Sequence, residues 1–228
     1  MVGKADEWTL EPRRVALSRC FRSVLYPVNV VAVLDRLPEL GWVVEERVEE
    51  ENSIRIGAPK KGNLRLQLDQ SAKTLGVVGD DLAQALIAYR ELMQAASDVS
   101  SYTSGIGTLY VEFRYLGDAH GDKVNPLEVF ARWWGGAERV ESFGSEIAKD
   151  LPSDASRMIP YGIRLAPEGN DANRPNWTEL TIAPSNTSGE TKFHFDLLFR
   201  NESSAKTEEV AENADAIIRR ALAQLTKA

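Results

Sequence analysis

Cysteine and histidine are almost absent from this sequence. Among 228 residues there is one cysteine, Cys20, and there are two histidines, His120 and His194. A single thiol cannot close a disulfide within the chain, and it cannot supply the cysteine set of a structural zinc site. The sequence therefore excludes a disulfide-stapled fold and a thiolate metal cluster within one chain.

Long apolar runs are also missing. The longest run, residues 24–34, is interrupted by Pro27 and Asn29, and it is much shorter than the roughly 20 residues that a membrane-spanning helix needs. The residues up to Trp8 contain no apolar core of a signal peptide. We therefore expect a soluble, cytoplasmic protein that does not interact with a membrane.

The sequence has no strong catalytic or nucleotide-binding motif. Residues 76–79 contain two glycines before a predicted helix, but the lysine and the serine or threonine of a phosphate loop are missing. No serine or cysteine stands in a nucleophile-elbow sequence. Around His120, residues 118–125 alternate polar ligand types but lack the distal glutamate of a calcium loop and a second histidine. They predict a polar turn, with metal binding as the open alternative, and we assign no catalytic residue, cofactor or metal ligand.

Positive charge is the minority charge. The chain has 27 lysines and arginines against 34 acidic residues, for a formal net charge of -7. This balance disfavours bulk attraction to the phosphate backbone of a nucleic acid. The apolar share of 43% and the length leave room for a substantial core.

What the sequence does contain is one order of elements that occurs twice. Each half reads as a strand, a short helix, several strands and a long closing helix. Residues 27–32 and residues 126–131 hold the same place in their halves, directly after the first strand. The duplication predicts an N-terminal extension at 1–13, a first α+β pseudo-repeat at 14–97, a linker at 98–107 and a second pseudo-repeat at 108–228.

The helices have the clearest signals. The first closing helix shows an apolar stripe at helical spacing, formed by Leu82, Leu86, Tyr89, Met93 and Ala96. The second begins at Thr207 and carries a stripe formed by Val210, Ala214, Ile217, Ala221 and Leu225. Asn125 and Pro126 predict a capped start for the short helix of the second half. The first strand is predicted to begin at Arg14.

At fold level, this element order resembles the duplicated β-α-β4-α saddle of TATA-binding-protein-like domains. The resemblance implies an α+β fold in which both repeats share one curved antiparallel sheet. It also implies that helices cover one face and that the other face binds partners. It rests on element order, so no functional residue is carried over from that family.

Side-chain alternation predicts which residues lie on the open face. Bulky apolar residues occupy one parity of the strands at 109–115 and 191–200, so the charged parity must point away from the core. The predicted open-face residues are Glu112, Arg114, His194, Asp196 and Arg200. His194 and Asp196 share one strand face. The pattern favours a solvated sheet face with cross-strand ion pairs, and an acid–base pair of these two residues is the alternative. Basic residues of other strands are expected on the same face, among them Arg14, Arg22, Arg55, Arg65 and Lys192.

Trp133 is a separate candidate. It shares one side of the short helix with Val129, away from the stripe of Phe130 and Trp134, and tryptophan is common among interface anchors. It predicts a contact surface or self-association.

The first hypothesis for function is a non-enzymatic protein-binding or regulatory module. The alternatives are a nucleic-acid binder that uses the open face, which the acidic charge disfavours, and an enzyme or small-ligand receptor with a cleft between sheet and helices.

Overall fold

In the described part of the chain, nine strands form one sheet in which every neighbouring pair is antiparallel. The computed structural model describes residues 8–22, 28–42, 46–50, 53–57, 64–69, 72–99, 107–122, 124–134, 161–168, 174–185 and 192–227. The strands are β1 Trp8–Phe21, β2 Glu46–Glu50, β3 Ser53–Gly57, β4 Arg65–Asp69, β5 Thr74–Gly79, β6 Thr108–Gly121, β7 Ile163–Leu165, β8 Trp177–Ser185 and β9 Lys192–Asn201. Their order is β2-β3-β4-β5-β1-β6-β9-β8-β7. The predicted α+β class with an antiparallel sheet is confirmed.

The central pair is β1 and β6, each 14 residues long. They pair from Trp8 opposite Gly121 to Phe21 opposite Thr108, with a register shift between Pro12 and Arg14. The side-chain alternation predicted that β1 begins at Arg14, but the strand begins at Trp8. The irregularity after Pro12 displaces the side-chain alternation by one residue, so the apolar pattern before it does not continue in phase.

The helices cover one face of this sheet. They are α1 Val30–Arg36, which continues into a 3₁₀ turn at Leu37–Leu40, α2 Leu82–Val99, α3 Pro126–Trp134, α4 Ser204–Glu212 and α5 Ala214–Leu225. α2 packs on β5 and β1, α4 packs on β6 and β9, and α1 packs on α2. None of the helices in the described part of the chain is long and apolar enough to cross a membrane.

The closing helix differs from its prediction. It is divided at Asn213, whose side-chain amide donates to the Glu209 carbonyl oxygen and ends α4. This break resets the helical phase, so Ile217 is only partly buried, where the stripe placed it in the core. The residues of α5 that are buried are Ala214, Ile218, Leu222 and Leu225.

The core confirms the predicted strand parity. On β9, Phe193, Phe195 and Leu197 are buried, and the Phe195 ring meets the Tyr115 ring edge-on at 5.1 Å. The sequence also predicts a strand at residues 138–143, which lie outside the described residues. The duplication of the two halves and the resemblance to the saddle fold stay predictions, because no superposition of the halves tests them.

Candidate binding surface on the open sheet face

Five of the six predicted surface residues lie on the sheet face opposite the helices. β6 and β9 place them side by side, since Glu112 pairs with Arg200 and Arg114 pairs with Leu198, the neighbour of Asp196 on the partner strand. The reason is the strand period, because each of these residues alternates with a core residue. The structure thus brings these residues together, while their role in binding stays a prediction.

Two ion pairs join β6 and β9 on this face. Arg114 donates to both Asp196 oxygens, at 3.0 and 2.6 Å. Arg200 donates twice to Glu112 Oε2, at 2.9 and 2.5 Å, and its guanidinium lies 4.4 Å from the Tyr110 ring centroid. Hydrogen bonding to Asp196 raises the pKa of Arg114. Bonds from two guanidinium nitrogens fix the side chains as well as the charges.

Two more ion pairs lie on this face, one between β7 and β8 and one between β9 and β1. Arg164 of β7 donates to Glu179 of β8 at 2.7 Å. Lys192 of β9 donates to Glu11 of β1 at 2.7 Å, and this hydrogen bond lowers the pKa of Glu11. Together with the two central pairs, these contacts form a row of paired charges of alternating sign across the sheet, which we call the ion-pair ladder.

The acid–base pair of His194 and Asp196, the alternative to cross-strand ion pairs, does not form. Asp196 is engaged by Arg114, and His194 Nδ1 lies 3.3 Å from Asp118 Oδ1 instead. Asp118 is 1% exposed and also forms an ion pair with Arg13. Residues two apart on a strand share a face, but the residue directly across the strand pair is closer. The register of β6 against β9, which a single sequence does not reveal, therefore determines that His194 pairs with Asp118.

Asp118 and His120 also correct the predicted turn at 118–125. β6 continues through both residues and ends at Gly121. His120 Nδ1 lies 3.5 Å from Glu11 Oε1. Among the described residues, no group of three or more histidine, cysteine, aspartate or glutamate side chains could hold a metal ion. Asp118 is thus a buried structural partner of two basic side chains, and its place in a run of polar residues concealed this role.

Trp133 lies apart from the other five candidates, on the helix-covered side. Its ring is 42% exposed, and its indole N–H donates to the Leu225 carbonyl oxygen at 2.6 Å. The ring lines an apolar groove of about 340 Å³ between α5 and the outer strands β7 and β8, together with Ile163, Leu165 and Ile217. The phase shift of α5 is what brings Ile217 to this groove.

A cleft between sheet and helices is present, as the third hypothesis requires. It has a volume of about 500 Å³ and lies beside the start of α2, lined by Leu86, Tyr115, Asp215 and their neighbours. The Tyr115 hydroxyl donates to Asp215 Oδ1 at 2.7 Å. Burial raises the pKa of Tyr115, and the hydrogen bond to Asp215 raises it further. The phenol and this carboxylate of the cleft are therefore hydrogen-bonded to each other.

A larger recess of about 600 Å³ lies on the open face of the first half. Its lining includes Arg13, Arg14, Arg65, Gln67 and Val78. We call it the basic recess.

No family model matches this chain, and no curated protein matches it. The function is therefore argued from geometry.

Proposed function

We propose that the chain is a non-enzymatic protein-binding module that engages its partner through the open sheet face. The observation that carries the proposal is the ion-pair ladder. Its two central pairs, Arg114 with Asp196 and Arg200 with Glu112, expose fixed charges of both signs on a regular surface. Alternating charges give a protein interface its orientation and its specificity.

Preorganisation supports the same proposal. A side chain that is free in the unbound protein costs roughly 0.5–1.5 kcal/mol to immobilise at an interface. The ladder side chains are already held by cross-strand hydrogen bonds, as the two bonds of Arg114 illustrate. A partner that reads this pattern loses less conformational entropy on binding than one that must order free arginines.

A nucleic-acid partner is the alternative that the charge pattern opposes. Glu112 and Asp196 lie between the arginines of the ladder, so a phosphate backbone laid across it would meet carboxylates. We expect weak binding of single- and double-stranded oligonucleotides at physiological salt. Titrations at two salt concentrations test this expectation, and tight binding with a steep salt slope would favour the nucleic-acid function instead.

Site-resolved photo-crosslinking tests the protein-binding function directly. A photoreactive phenylalanine analogue at Thr181, on the open face of β8 opposite Asp196, should yield an adduct of defined mass in the cells that make the protein. The matched control carries the analogue at Ile87, an exposed position on α2. An adduct from Ile87 but none from Thr181 would place the contact on the helices and contradict the proposal.

A charge swap separates partner binding from folding. Arg114→Asp combined with Asp196→Arg keeps an ion pair within the sheet and reverses its polarity towards a partner. We expect the Thr181 adduct to disappear while the thermal midpoint is retained. The control swap, Arg90→Glu with Glu208→Arg, reverses an exposed pair between α2 and α4 and should leave the adduct in place.

A further inference from the structure

We infer that the partner presents an acidic, carboxylate-bearing segment to the basic recess. This inference rests on the proposed protein-binding function and specifies the chemistry of the partner. The recess lies on the same open face as the ion-pair ladder, on strands β1, β5 and β4, beside the two central pairs on β6 and β9. Its volume of about 600 Å³ is sufficient for several side chains of an extended peptide.

The strand register explains why the arginines converge there. Arg14 directly precedes the buried Val15 and therefore points to the open face, and Arg65 pairs with Val78, which points the same way. Arg14 lies on β1 and Arg65 on β4, with β5 between them. Two strand spacings separate the two strands by roughly 10 Å. On β5, Val78 and Gly79 line the recess between the two long side chains.

The charges of the recess differ from those of the ladder. Arg114, Arg164 and Arg200 each have a carboxylate partner. Within the described residues, Arg14 and Arg65 are exposed and form no ion pair. The five N–H donors of each of these two arginines are therefore open to an incoming group.

Carboxylate is the group that fits these donors. A guanidinium binds a carboxylate through two parallel hydrogen bonds, so two arginines on strands that flank β5 select paired carboxylates. Asp80 also lines the recess, and carboxylates of the ladder lie on β1, at Glu11, and on the adjacent strand β6, at Glu112. A continuous phosphate backbone that leaves the recess would run into these acids, whereas a short acidic segment of a protein would not.

The test measures binding of a labelled glutamate peptide of about ten residues to the full chain by fluorescence anisotropy at low salt. A glutamine peptide and an oligothymidine of the same length serve as matched probes. We expect the glutamate peptide to bind more tightly than both. We also expect its dissociation constant to rise about tenfold in the Arg14→Gln, Arg65→Gln double variant, since two exposed ion contacts contribute up to about 1 kcal/mol each.

The control variant, Arg90→Gln with Glu208→Gln, removes a paired arginine between α2 and α4, away from the open face, and should change that constant by less than about twofold. Equal binding of the glutamine peptide, tighter binding of the oligothymidine, or an unchanged constant in the arginine double variant would each overturn the inference. If the Thr181 adduct forms while the glutamate peptide fails, the protein-binding function stands without the acidic segment. If the peptide binds as expected but no adduct forms, the recess is an anion site and the module proposal fails.

Discussion

Replacing Phe195 by alanine tests the assignment of the two sheet faces. Phe195 is fully buried on β9. Its neighbours on the adjacent strands are Gly117 of β6 and Ile182 of β8. The ring also lies edge-on to the Tyr115 ring at 5.1 Å. The substitution removes a ring from a contiguous aromatic layer and leaves a cavity that neither neighbouring strand can fill.

The expected cost follows from burial. A buried aromatic side chain removes about 150–250 Å² from water, and about 25 cal/mol per Å² gives roughly 4–6 kcal/mol for the whole side chain. Alanine retains part of this area, and measured Phe→Ala losses in protein cores are about 3–5 kcal/mol. For a chain of this size, we therefore expect the thermal midpoint to fall by about 6–20 °C.

Urea and thermal denaturation of Phe195→Ala and Leu198→Ala provide the measurement. Leu198 lies on the opposite face of the same strand, across from Arg114 and Glu179, so its loss should cost less than about 1.5 kcal/mol. The ratio of the two effects is the decisive quantity. A larger loss for Leu198→Ala than for Phe195→Ala would show that the core lies on the other face, and it would refute the placement of the ion-pair ladder.

Three further predictions concern backbone packing, pH dependence and the ladder. Gly117→Ala should cost about 1–3 kcal/mol in urea denaturation, because the new Cβ would press on the Glu11 carbonyl oxygen and lie 2.9 Å from Phe195 Cζ; an unchanged midpoint would contradict this packing. The pKa of Tyr115 is raised in the folded state, so this phenol ionises first in the unfolded state as the pH rises. The contribution of Tyr115 to folding stability is therefore complete below about pH 10 and is lost as the pH rises further. Stability should fall less steeply above that pH in Tyr115→Phe than in the unmodified chain, and parallel curves would argue against it. A double-mutant cycle on Glu112 and Arg200 should give a coupling of about 1 kcal/mol that decreases with salt, and zero coupling would mean that the pair does not form in solution.

Strand parity was the part of the fold that local sequence could predict. On β9, three bulky apolar residues alternate with charged ones, and only one orientation buries the former. The helix start at Asn125 was equally readable, since its side chain accepts from the Leu127 N–H at 3.0 Å. These features depend on neighbours in sequence, so propensity and period suffice to indicate them.

The features that the sequence did not specify, or specified wrongly, depend on contacts between distant segments and on a helix break. His194 pairs with Asp118 because the register of β6 against β9 places them opposite each other. Ile217 left the core because one residue, Asn213, divides the closing helix. The free arginines Arg14 and Arg65 could be listed from sequence, but only strand order shows that a single strand separates them. The alternation of side chains along a strand shows which sheet face a residue lies on, but it does not show which residues of other strands lie beside it.

The β1–β6 pair has a consequence for how the chain folds during synthesis. The partners of this central pair lie roughly a hundred residues apart in sequence, so the contact order of the sheet is high and its closure is intrinsically slow. β1 leaves the ribosome before β6 does, and until β6 follows, the hydrogen-bonding groups of one long edge of β1 stay unsatisfied. Until then, the first half is an open-edged intermediate that can pair with another nascent chain. Stalling translation just before residue 108 should therefore promote association of chains, and release of β6 should end it.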